Sequence, residues 1–302
     1  MNQNTIYTQT MIQTMAGKVI RELRRGGERE LRNMMDLCRN RSSYPYYQQF
    51  CRMVENALRA PHSQYGRLIT RTARDVSETC LKTFLSNFGY HAVFCGGEIL
   101  REQKEQNASQ GIWLRPFPWE GGSAGVQRAV FEWEKEGTSV FWAAQVETPE
   151  RLNVLLTVAE KNRRCIFAVA HPPDTCADEQ LLDAVDLGNI CFFLGEEQLG
   201  AISQRLRNVG AFFGFHRSYA QVESLEAEDL FLQNSIQQGC LMGVYEGDSS
   251  QSLQKKERLY QKLIQVRSEG TREIFLCDLW RDRDAVQELL LHERTFPRCA
   301  NN

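Results

Sequence analysis

His171 and His216 each stand where an apolar run gives way to polar residues, in CIFAVA-HPPDT and AFFGF-HRSYA. Imidazole is the side chain whose ordinary pKa lies closest to neutrality, so both positions suit proton transfer or ligand binding. His171 lies beside Pro172 and Pro173 with no evident catalytic partner in its own segment, and reads first as a structural residue. His216, Arg217 and Ser218 form the most polar cluster of the series, where a bound anion would fit. Other apolar runs end on Gln145 and Glu147 (AAQVETPE), on Glu196 and Glu197 (LGEEQ), and on Tyr245 and Glu246 (VYEGD). Helix capping explains part of this: Thr148-Pro149-Glu150 has the form of a helix start, and Glu196 and Glu197 would complement a helix dipole. No Ser–His–Asp order, metal triad, Walker motif or dinucleotide fingerprint emerges.

The elements that must hold these residues follow from periodicity. Apolar, strand-like runs recur at 112–117, 139–146, 165–170, 189–195, 211–216, 240–247 and 274–279. Amphipathic stretches such as ETPERLNVLLTVAEKNRR and SQSLQKKERLYQKLIQVRSEG separate them. Runs apolar on both faces, each followed by a helix, imply a parallel sheet with covered faces. The alternatives are a barrel, complete or partial, and an open doubly wound sheet; unbroken succession favours the barrel. In either case function belongs at the carboxyl ends of the strands. Residues 1–110 read as helical, with Val76, Cys80, Phe84 and Phe88 at steps of four, and with Tyr46, Phe50, Met53, Val54, Ala57 and Leu58 at helical spacing before Pro61.

Composition narrows the class. The chain has 302 residues, 42% apolar and 25% charged, with 36 basic against 38 acidic side chains. A net charge of −2 gives no electrostatic reason to expect nucleic acid or an anionic membrane as partner. The basic stretch Arg21–Arg32 reads as a solvated helix face. No apolar run reaches membrane-spanning length, and the N-terminus lacks the form of a signal peptide, so a cytoplasmic location is expected. The ten cysteines include no two within five residues of each other, so no compact metal-ligand set exists in the sequence.

In the order of its segments the chain resembles the radical SAM (S-adenosylmethionine) enzymes. The lead-in YYQQFCRMVENALRAPHSQYGRLITRTARDVSETCLKTFLSNFGYHA is similar to the opening helices of one bacterial branch. EKNRRCIFAVAHPPDTCADEQLLDAVDLGNICFFLGEE is similar to that branch's third and fourth βα units, and IQQGCLMGVYEGD and EIFLCDLWRDRD fall where its sixth strand and following segment would. The resemblance spans about residues 45–284. It implies a partial (β/α)6 barrel of the TIM-like, radical SAM type with a helical N-terminal extension: residues 1–110 helical, residues 111–302 the barrel.

The departures carry the functional expectation. The family's C-x3-C-x2-C loop after its first strand, whose thiolates hold a four-iron four-sulfur cluster, has no counterpart: Cys95 and Cys165 are successive cysteines in this chain. The loop reads instead RPFPWEGG, and its Pro116, Pro118 and Trp119 are expected to close the barrel mouth. Gln145 to Pro149 replaces the family's G-G-E-P-like motif, with Glu147 and Pro149 as echoes, and Glu196 or Glu197 matches its acidic ribose contact. The Cys95-Gly96-Gly97-Glu98 stretch lies in the helical half and does not supply the motif. The resemblance therefore implies a degenerate barrel without iron–sulfur cluster, S-adenosylmethionine or radical chemistry. Its expected role is binding or regulation, as partner of an active radical SAM paralogue or of another protein. The alternative is an enzyme or nucleoside-type binding protein working at the emptied mouth. Candidate ligand contacts are Gln145, Glu147, His171, Glu196, His216, Arg217, Tyr245 and Glu246; no metal ligand is expected.

Overall fold

The computed structural model describes residues 3–25, 29–41, 48, 51–52, 54–56, 59, 63–106, 111–144, 146–247 and 252–292. The spaced apolar residues at 46–58 and the candidate Gln145 lie largely or wholly outside them. Seven strands form one all-parallel sheet in the order β1 to β7: Leu114–Pro116, Val140–Ala143, Ile166–Ala170, Ile190–Leu194, Phe212–Ser218, Met242–Glu246 and Phe275–Asp278. Each falls within or over one of the expected apolar runs. Sequential order with every connection crossing through a helix curls the sheet into a half-barrel with helices around it. Among the described residues, no helix is long and apolar enough to cross a membrane.

The helices before the sheet are α1 (Gln3–Arg24), α2 (Arg29–Arg41), α3 (Tyr65–Asp75), α4 (Glu78–Leu85) and α5 (Gly97–Glu105), with a π-helix at Ser86–Gly96. Those between and after the strands are α6 (Gly122–Lys135), α7 (Pro149–Lys161), α8 (Asp178–Leu187), α9 (Ala201–Val209), α10 (Leu225–Gln237), α11 (Leu253–Glu269) and α12 (Leu279–His292). Thr148 caps α7 through its hydroxyl, which accepts from Arg151 N at 3.3 Å, and Pro149 opens the first turn, as its sequence implies. The Val76–Phe88 stripe is buried at Val76 and Cys80 and packs partly buried at Phe84 and Phe88, but it is not one helix. Backbone at Val76 turns extended, and Ser77 restarts the helix by accepting from Cys80 N at 3.1 Å.

The sheet has two distinct faces, set by strand alternation and register. Phe141, Phe167, Phe215 and Tyr245 face the outer helices; Phe141 stacks on Phe167, and Phe215 meets Phe231 of α10 edge-on. Trp142, Phe193 and His216 share the inner face, the Trp142 ring centroid lying 5.3 Å from each of the other two. Phe212, on the same side, stacks on Phe84 of α4. The inner face is thus filled by aromatic rings below the level of His216.

The N-terminal helices cover the amino ends of the strands. Arg71 of α3 donates to the carbonyls of Ile236, Cys240 and Glu273, which precede β6 and β7. Asn87 donates to Arg163 O and Cys165 O before β3, and Ser77 N donates to Gly210 O before β5. Arg24, inside the stretch expected to be a solvated face, instead donates to the carbonyls of Ala73 and Val76. At the seam between β7 and β1, Gln287 of α12 accepts from Trp113 N and donates to Gly111 O, while Trp113 Nε1 donates to Arg283 O. The amino end of the half-barrel is therefore plugged by helices.

His91 of the π-helix illustrates the cost of this plug. Burial, reinforced by the charge of Arg164, holds its pKa down at about 4. A depressed histidine pKa means that the unfolded chain binds the proton more readily, with an ordinary pKa near 6.5. Stability is accordingly full above about pH 6.5 and falls as the pH drops towards 4. His91→Gln is expected to flatten this acid loss by on the order of 2 kcal/mol, measured by urea unfolding at pH 7.5 and pH 4.5.

Candidate functional site

Five successive strand ends contribute to one chain of contacts along the carboxyl rim. His171 follows β3, and its backbone N–H still donates to Phe193 O of β4 at 2.8 Å. It then turns left-handed (φ 51°), the one non-glycine residue to do so among those described. That turn aims its ring along the rim, where Nε2 lies 2.8 Å from Nδ1 of His216, with the rings perpendicular. His216 Nε2 lies 3.1 Å from Oε2 of Glu246, at the end of β6. The other oxygen of Glu246 accepts from Nε1 of Trp280, in the first turn of α12, at 2.8 Å. On the far side, His171 Nδ1 stands 3.7 Å from Oε1 of Glu197, after β4.

These contacts determine who carries each proton when both rings are neutral. Indole nitrogen only donates, and a carboxylate only accepts, so Glu246 accepts from Trp280 and from His216 Nε2–H. His216 Nδ1 is then the bare nitrogen and accepts from His171 Nε2–H. His171 Nδ1 is left with a lone pair at the outer edge of the rim. The His171 side chain is 43% exposed and that of His216 only 13%, so the relay runs from an accessible ring into a shielded one. Burial, and next the neighbouring His216, lower the pKa of His171, while Glu197 and Glu246 oppose the shift. The accessible imidazole is thereby kept mainly neutral near pH 7, the form that can accept a proton.

Neighbouring residues hold the geometry. Asp278 ends β7 and caps α12, accepting from Trp280 N and Arg281 N at 3.1 and 2.8 Å, and it also accepts from the Tyr219 hydroxyl at 2.6 Å. This fixes the turn that presents Trp280. Gln198 ties the loops after β3 and β4 together, donating to Pro172 O and Asp174 Oδ1 and accepting from Gly195 N. A side chain at Gly195 would displace both acceptors: a Cβ there would lie 2.2 Å from Glu197 Oε1 and 2.8 Å from His171 Nδ1.

The other expected contacts separate from this centre. Arg217, next to His216, points through the sheet to the helix side, as alternation requires. It is buried there, with Nη1 3.2 Å from Glu196, Nε 3.5 Å from Glu228, and its guanidinium over the Phe231 ring. Tyr245 is likewise buried on that side, its hydroxyl donating to Glu228. The three-residue polar cluster is therefore split between two faces, and the anion contact expected of it has no common side. Glu147 is exposed beyond β2, and Glu196 is 53% exposed. Trp119 donates from Nε1 to Ala144 O at 2.7 Å and packs edge-on against Phe117, half-buried over the ends of β1 and β2. Pro116 is the exposed last residue of β1, with Pro118 half-buried after it. Cys165 and Cys240 lie buried just before β3 and β6, at the opposite end from the histidine pair. Among the described residues, no group of three or more His, Cys, Asp and Glu is arranged to hold a metal ion.

No family model matches the chain, and neither a curated protein nor a solved structure matches it. The site stands on its own geometry.

Gly195, Gln198 and Trp280 escaped the sequence reading; the only signal for Trp280 was its place at the end of the seventh apolar run. Gly195 has an ordinary φ of −68°, so Gly195→Ala tests the site rather than the backbone. It is expected to change the unfolding free energy by less than about 1 kcal/mol. It should also shift the ring resonances of His171 and His216, leaving those of His91 in place.

Proposed function

We propose that the carboxyl rim of this half-barrel is a small-molecule site that works by proton transfer, with His171 as the general base. The frame on which it stands is, in this proposal, a barrel of the radical SAM kind that has lost its cluster loop, and its chemistry needs neither cluster nor radical. The observation that carries the reading is the continuous Glu246–His216–His171 chain, which ends on an accessible nitrogen with a lone pair. A nucleophile or acid bound at the rim would give its proton to His171 Nδ1. The resulting imidazolium would be stabilised by Glu197 at one nitrogen and, through His216, by Glu246 at the other. Glu246 and Trp280 are positioning residues in this scheme: they set the tautomer and orientation of His216 and touch nothing that reacts.

A partner role is the second reading. It is favoured by Leu230 of α10 and Leu253 of α11, 70% and 81% exposed on helices that flank β6. That role and a proton-transfer site make different demands on His171.

Carbethoxylation by diethyl pyrocarbonate measures the availability of an imidazole lone pair. At pH 7, His171 is expected to react several-fold faster than His91, and Glu246→Gln to slow His171 several-fold by removing the far end of the relay. A His171 no more reactive than His91, or one indifferent to Glu246→Gln, would contradict the proton-transfer reading and leave the partner role.

A further inference from the structure

The rim offers acceptors on both sides of one small volume. His171 Nδ1 and Glu197 Oε1 are 3.7 Å apart, too far to bond each other and near enough for a single donor atom to reach both at about 2.9 Å. A carboxylate has no hydrogen to give, and the tautomer chain leaves none on Nδ1. Whatever enters must bring at least two hydrogens on one atom or on one small planar group.

Charge narrows the choice further. Glu147 is also exposed beyond the end of β2, on the same rim. Three arginines of the neighbouring elements are engaged elsewhere, while Lys256 of α11 packs near Gly247, next to Glu246. Arg217 is on the other face with Glu228 and Glu196, Arg151 lies over the Trp119 ring at 5.3 Å, and Arg281 is paired with Glu257 at 2.9 Å. Glu197 itself is 67% exposed, so a ligand can reach it from solvent. Gly195 keeps the space between the two acceptors open, since a Cβ there would press on both.

We propose that the rim binds the ammonium or amidinium group of a small organic cation, its nitrogens donating to His171 Nδ1 and Glu197 Oε1. This rests on the reading of His171 as a neutral, outward-facing acceptor. The substrate class is then a primary amine or amidine, and the anion expected from the His216–Arg217–Ser218 cluster is not the ligand.

The test is titration of the full-length protein at pH 7.5 with ethylammonium, acetamidinium, acetate or inorganic phosphate, against sodium chloride at matched ionic strength. The readout is the imidazole resonances of His171. The two cations are expected to give saturable shifts, and Glu197→Gln, at an exposed position, to weaken both by about tenfold. Acetate and phosphate should match the salt control. A saturable response to either anion, no saturable response to either cation, or full affinity in Glu197→Gln would overturn the inference. A protein whose His171 is rapidly carbethoxylated in a Glu246-dependent way, yet ignores both cations, keeps the proton-transfer site and loses only this ligand class.

Discussion

A hydrogen bond between two imidazoles obliges one ring to donate and the other to accept, and the carboxyl rim depends on which does which. Glu246 decides it, because a carboxylate only accepts, and Trp280, 34 residues further on, holds that carboxylate in place. By donating to one carboxylate oxygen it leaves the other for His216 Nε2–H, and the remaining assignments follow along the chain. The outcome is an exposed lone pair on His171, backed by a shielded ring and a carboxylate. The indole adds a second fixed contact to the carboxylate that sets the direction.

The fold supplies this constraint through long-range placement. His171, His216, Glu246 and Trp280 come from β3, β5, β6 and the turn after β7, so none of their contacts is local. Parallel register sets the height of each residue on the rim; Ser218 pairs with Glu246, for example, which brings Glu246 level with the end of β5. Aromatic packing on the inner face then supports His216 from below through Trp142. The N-terminal helices contribute from the opposite end, where Arg71 and Asn87 satisfy carbonyls that would otherwise be stranded beneath the sheet.

The seven strands were legible because each is buried on both faces and so reads as a continuous apolar run rather than an alternating one. Thr148-Pro149 was legible as a helix start because a cap is a local bargain between a hydroxyl and the next few amides. The histidine pair was not legible as a pair. His171 and His216 are 45 residues apart, and their meeting depends on strand order, on register and on a left-handed turn at a non-glycine residue. His216 and Arg217 looked like one site because they adjoin in sequence, yet strand alternation sends them to opposite faces. The helix over 76–88 failed at Ser77, where a side-chain cap competes with helix continuation, an ambiguity that spacing alone does not resolve.

The central claim concerns proton positions, and nitrogen shifts report them directly. Long-range proton–nitrogen correlation spectra of uniformly 15N-labelled protein at pH 7.5 should show His171 with hydrogen on Nε2 and Nδ1 bare, and hydrogen on Nε2 of His216. Hydrogen on Nδ1 of His171, with Nε2 bare, would mean that the relay runs the other way and that His171 presents a donor to the rim, contradicting the account.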